Sequence, residues 1–73
     1  MKEFEFSLKI KPDAWLEYYR SPQSTVVATT VHGKRVRFSA RHLVPHVTRD
    51  GILGTFVLTI DYNNDFVSLM RKR

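Results

Sequence analysis

Cysteine is absent from the 73 residues. That excludes a disulfide framework, a cysteine-ligated metal site and thiol catalysis. Glycine and proline are scarce, at three each, and no glycine-rich phosphate loop, linker or low-complexity stretch occurs. Long apolar runs are also missing. The longest are three residues, as in Phe56-Val57-Leu58, whereas a membrane span needs about 20. The start, Met1-Lys2-Glu3-Phe4-Glu5-Phe6, alternates instead of forming a leader's apolar block. A cytoplasmic chain without a membrane role is expected.

What is present suits one small folded domain over 1–73. Apolar residues make up 42% and charged residues 26%, which is ordinary for a packed chain and wrong for a disordered one. Five Phe, three Tyr and one Trp supply packing area. A chain this short buries only about 60–65% of its unfolded surface, so a large enclosed active site is not expected.

Acidic residues are few, and their placement matters. Twelve Lys and Arg against seven Asp and Glu give a formal charge of +5. Residues 1–31 hold four bases and four acids; the remaining eight bases and three acids lie in 32–73. Between Glu17 and Asp50 there is no acid at all. Such a segment attracts phosphates, acidic protein surfaces or anionic lipid, or merely forms a solvated basic face.

Phe4, Phe6, Leu8 and Ile10 alternate with Glu3, Glu5, Ser7 and Lys9, which predicts a half-buried strand. Pro12 opens a helix, and Trp15, Tyr18 and Tyr19 share one of its faces. It should end near Arg20, before the breaker Ser21-Pro22. Residues 24–31 are β-branched and read as a strand, His32-Gly33 as a two-residue turn, and Lys34 to Ser39 as the returning strand. That register sets Val27 opposite Phe38 and Thr29 opposite Val36. It turns Val27, Val36 and Phe38 inward, and Arg35 and Arg37 outward. A connection over 40–50, with a short helical turn over 40–44, should anchor Leu43 and Val47 under the sheet. Asp50-Gly51 signals a turn. Residues 52–61 form the longest strand. Asn63-Asn64 then turns the chain so that Ile60 faces Val67, Leu58 faces Leu69 and Phe56 faces Arg71. Gly54 marks a bulge or a close approach. Residues 71–73 are expected to fray as a basic tail.

The expected fold is therefore α+β, ordered β-α-β-β-β-β. One N-terminal helix packs on a five-stranded bent antiparallel sheet, either open or partly closed as a barrel. The expected core is Phe4, Phe6, Leu8, Ile10, Trp15, Val27, Val36, Phe38, Leu43, Ile52, Phe56, Leu58, Ile60, Val67 and Leu69.

No catalytic residue, metal or cofactor is expected. His42 and His46 lie four apart, but Pro45 between them spoils the helical spacing of a two-histidine metal motif. The acids read as exposed strand or turn residues, and no Ser/His/Asp order has a supporting context. Anion or nucleic-acid binding is the best functional signal, carried by Lys34, Arg35, Arg37, Arg41, Arg49, Arg71, Lys72 and Arg73. Arg35 and Arg37 stand two strand residues apart, roughly 7 Å, a spacing close to that of successive phosphates. The rings of Trp15, Tyr18 and Tyr19 suit base stacking or, more commonly, packing of a helix on a sheet. The alternative is a protein-interaction module or homodimer built by edge-strand pairing, through the Gly54 strand or the C-terminal strand, and a small enzyme ranks last.

One resemblance covers nearly the whole chain. It is carried by Val36-Arg37-Phe38-Ser39-Ala40, Arg41-His42-Leu43, Pro45, Val47-Thr48, Asp50-Gly51-Ile52 and Gly54-Thr55-Phe56. The Phe4-x-Phe6 strand and Tyr18-Tyr19 on the helix add to it. Together they resemble a family of short bacterial proteins, domain of unknown function 2835. The resemblance implies a stand-alone bacterial domain without an established activity, and it carries over no functional residue.

Overall fold

Strand β1 (Lys2–Ile10) forms where the alternation predicts it. Phe6 is fully buried, while Phe4, Leu8 and Ile10 pack against the core. The structure is a computed structural model that describes residues 1–21 and 23–72. The expected breaker at Pro22 and the basic end at Arg73 lie outside those residues.

Helix α1 (Pro12–Arg20) begins on proline, whose fixed φ suits the first turn. The Ser21 N–H closes it by donating to the Tyr18 carbonyl at 3.3 Å. Strands β2 (Thr25–Thr29) and β3 (Arg35–Ser39) make an antiparallel hairpin. A 3₁₀ helix, η1 (Ala40–His46), follows directly, and the Ser39 hydroxyl accepts from the Arg41 N–H at 3.4 Å. Strands β4 (Ile52–Ile60) and β5 (Phe66–Lys72) complete the chain.

The fold is α+β, but the five strands do not form one sheet or a closed barrel. They form a three-stranded sheet, β1-β4-β5, and the two-stranded β2-β3. The two meet along the backbone at the Phe6–Thr30 bridge, where the Val31 N–H donates to the Glu5 carbonyl at 2.9 Å. Side chains make the larger join. Phe6 stacks on Phe38 of the hairpin at 5.5 Å and on Phe56 of β4 at 6.4 Å. The hairpin thus folds over the sheet to enclose those rings, and continuing the sheet edge would leave them in water. The helix count also differs, since η1 extends through Pro45 where only a short turn over 40–44 was expected.

The first hairpin is shifted by one residue from its predicted register. Val26 faces Phe38, Val27 faces Arg37 and Ala28 faces Val36. Thr30 and Lys34 pair across a three-residue loop in which Gly33 alone takes positive φ, +83°. A two-residue turn would have asked the same of His32. The shift flips β2: Val26 and Ala28 are buried and Val27 is 51% exposed. Strand β3 keeps its predicted faces, with Arg35 and Arg37 outward.

The second hairpin also uses a three-residue loop, Tyr62 to Asn64, with Asn64 at φ +66°. Leu58–Leu69 and Phe56–Arg71 pair as predicted, but an irregularity after Thr59 sets Ile60 opposite Phe66. Val67 is therefore exposed and leaves the predicted core. Val47 is exposed as well, while Leu43 is fully buried. The two loops share a device. At the residue before each loop, a side-chain oxygen accepts the N–H four residues on: Thr30 Oγ1 from Lys34, and Asp61 Oδ1 from Asp65, both at 3.0 Å.

Strand β4 is central, so the Gly54 strand cannot take an edge partner. The expected frayed tail is strand through Lys72. Among the described residues no helix is long and apolar enough to cross a membrane.

Candidate nucleic-acid interface

Seven of the eight basic candidates lie among the described residues, and those seven do not gather in one place; Arg73 lies outside the described residues. Two are committed to the three-stranded sheet. Arg71 lies across Gly54, its Nη2 donating to the Leu53 carbonyl at 2.8 Å and its guanidinium 5.6 Å from the Phe56 ring centre. What requires glycine at position 54 is its backbone, at φ +143°; a Cβ there would only touch the guanidinium at ordinary contact distance, 3.6 Å. Lys72 Nζ pairs with Glu5 Oε1 at 2.6 Å on the opposite face of the same sheet. The Lys34 ammonium stands 5.0 Å above the Phe4 ring, and its backbone closes the first hairpin loop. Arg49 is exposed in the Thr48–Gly51 turn.

Arg35, Arg37 and Arg41 are different. All three are exposed, and they follow one another along β3 into η1. Across the strand Arg35 faces Thr29 and Arg37 faces Val27, not acids. Among the described residues the ion pairs are Glu17–Arg20 and Glu5–Lys72, so none of the three arginines is neutralised by a carboxylate.

Beyond the end of β3 lies a groove of about 240 Å³ between α1 and η1. Trp15, Tyr18, Tyr19, Ser21, Ala40, Arg41 and Val44 line it. Trp15 is buried and packs 6.4 Å from Tyr18 and 6.5 Å from Tyr19, ring centre to ring centre. Tyr19 remains 63% exposed. The helical spacing that sets these rings on one face was legible in the sequence. The arrival of Arg41 and Val44 opposite them was not, and the spacing gave no sign of Ser21. A second depression of about 220 Å³ has Glu3 and Glu5 on its wall, beside Val31 and His32. Its carboxylates make it unsuited to anions.

The histidines of η1 hold that helix to β5. The His42 ring lies flat on Phe66, with centres 3.6 Å apart and planes within 6°. His46 meets Phe56 edge-on at 5.2 Å, and its Nε2–H donates to the Leu69 carbonyl at 2.9 Å. A carbonyl oxygen only accepts, so the proton sits on Nε2. Burial first, and the Arg41 charge second, hold the His42 pKa below its ordinary value. Both rings thus serve to dock the segment that carries Arg41 to the groove.

The profile of a family described as a protein of unknown function, DUF2835, matches residues 2–72. No curated protein and no solved structure matches the chain.

Proposed function

The chain belongs to the DUF2835 family, and from that premise we propose a non-catalytic module that binds nucleic acid or another polyanion through Arg35, Arg37 and Arg41. The observation that carries this reading is the row itself. Three exposed arginines follow one another from β3 into η1, and among the described residues no carboxylate is paired to any of them. Each guanidinium offers a planar fork of donors that suits phosphate oxygens. Arg71 and Lys72 have other partners and are not part of this surface; Lys34 stands over the Phe4 ring and Arg49 sits in the Thr48–Gly51 turn.

A salt titration tests the reading. With three phosphate contacts, affinity for a labelled oligonucleotide should fall about 20- to 40-fold between 50 and 200 mM salt. The Arg35→Ala/Arg37→Ala double variant should flatten the log–log slope by about 1.5. No binding at 50 mM salt, or an unchanged slope in the variant, overturns it.

Edge-strand pairing is the second reading; the C-terminal strand β5 is an outer strand of the three-stranded sheet, and β3 is an outer strand of the hairpin. The hydrogen-bonded pairs of the hairpin involve Val36 and Phe38, so the backbone groups of Arg35 and Arg37 point away from β2. A second copy there would bring like charges side by side, whereas an acidic extended segment would be matched. Capture of an acidic peptide in preference to an oligonucleotide, with loss of binding on Arg37→Pro, would favour this reading.

A further inference from the structure

The groove between α1 and η1, we infer, takes a single unstacked base of a single-stranded nucleic acid, so that the domain prefers single strands to duplex. This inference rests on the polyanion reading and specifies which polyanion. Its grounds are the groove's size, its lining and its position.

Size comes first. Pockets for drug-sized ligands run from about 300 to 1,000 Å³. About 240 Å³ accommodates one ring system and leaves sugar and phosphate outside. The lining is aromatic, with Trp15 as a buried wall and Tyr19 presenting an accessible ring. Every base has a π-face, so stacking on such rings is tolerant of sequence. Among the described residues no carboxylate lines the groove, and the Ser21 hydroxyl supplies one polar contact for a base edge.

Position decides the class of ligand. Arg41 belongs both to the groove lining and to the unpaired arginine row. A strand whose phosphates follow Arg35 and Arg37 therefore reaches Arg41 where a base can turn into the groove. The Arg41 guanidinium can meet the adjoining phosphate or lie on the base plane. A base in a duplex is paired and stacked, and extruding it carries a penalty. Linear polyphosphate has the charges but no base. The same site should therefore rank these three ligands differently.

The chain has one tryptophan, and it forms the groove wall. Its emission reports occupancy directly. The experiment titrates the intact protein at 50 mM salt with a 12-nucleotide single strand, the matching duplex and polyphosphate of equal charge. Trp15 emission and ligand anisotropy are followed together. The single strand should quench Trp15 and bind about tenfold more tightly than the duplex; polyphosphate should bind without quenching. Tyr19→Ala, at an exposed position, should lower single-strand affinity about tenfold and leave polyphosphate affinity unchanged. Circular dichroism of this variant confirms that it is folded. Equal affinities with unchanged Trp15 emission would overturn the groove assignment and leave the polyanion reading standing. Quenching by polyphosphate as strong as by the single strand would also overturn the groove assignment. Absence of binding by all three ligands would overturn both.

Discussion

A Cβ atom on Gly51 would collide with the carbonyl oxygen of Ile10. The backbone of the Thr48–Gly51 turn is pressed against the junction of β1 and α1, with the Lys11 carbonyl carbon and the Pro12 nitrogen both 2.9 Å from that point. Gly51 also has φ +85°. Contact and conformation both exclude a side chain. Gly51→Ala should therefore lower stability by about 2 kcal/mol or more in urea unfolding. Gly33→Ala is the control: φ is +83° but nothing lies within 4 Å, so its loss should be about 1 kcal/mol. Equal losses at the two positions would contradict the close approach.

The register of the first hairpin can be tested by neighbouring valines. Val26 is 2% exposed and Val27 is 51% exposed. Val26→Ala should cost about 1.5–3 kcal/mol through lost burial and a residual cavity. Val27→Ala should cost under about 0.5 kcal/mol. The reverse order would restore the two-residue turn that the sequence pattern suggested.

Asp61 Oδ1 accepts two backbone N–H groups, from Asn63 at 2.8 Å and from Asp65 at 3.0 Å. Asp61→Ala removes both bonds at the tip of the second hairpin. Stability should fall by about 1–2 kcal/mol, and Asp61→Asn should recover much of it. Amide exchange at Asn63 and Asp65 should accelerate in the alanine variant alone.

Acidification should weaken the dock between η1 and β5. The His42 pKa is held below its ordinary 6.5, by burial and then by Arg41. The unfolded chain therefore takes up this proton first as pH falls. The His42 contribution is complete above pH 6.5 and is lost as pH drops through 6.5 toward the folded value. His42→Phe keeps a ring on Phe66 and should show a smaller loss of stability between pH 8 and pH 5.5 than the parent. In an NMR titration Arg41→Ala should move the His42 midpoint upward. A parent midpoint at or above 6.5 would refute the account.

Much of the fold was legible because its signals are local. Alternation over residues 3–10 gives β1, Pro12 starts α1, and β-branched residues mark β2. The second hairpin pairs Leu58 with Leu69 as apolar matching predicted. Errors arose where a loop's backbone decides. Gly33 and Asn64 each provide one positive-φ residue, and both loops use it with three residues, not two. One residue of difference flips β2 and exposes Val27, because side chains alternate strictly along a strand.

The candidate site divides the same way. By itself the sequence determined that the surplus charge lies in residues 32–73 and that Arg35 and Arg37 share the outward face of a strand. Period-two geometry is a property of the strand alone, so no partner was needed to read it. Only the tertiary structure decided which bases remain available. Arg71 is drawn across Gly54 and Lys72 to Glu5, while Arg41 is carried to a groove walled by Trp15 and Tyr19. Those outcomes depend on which distant segments pack together, and burial of Phe6 between Phe38 and Phe56 brings them there.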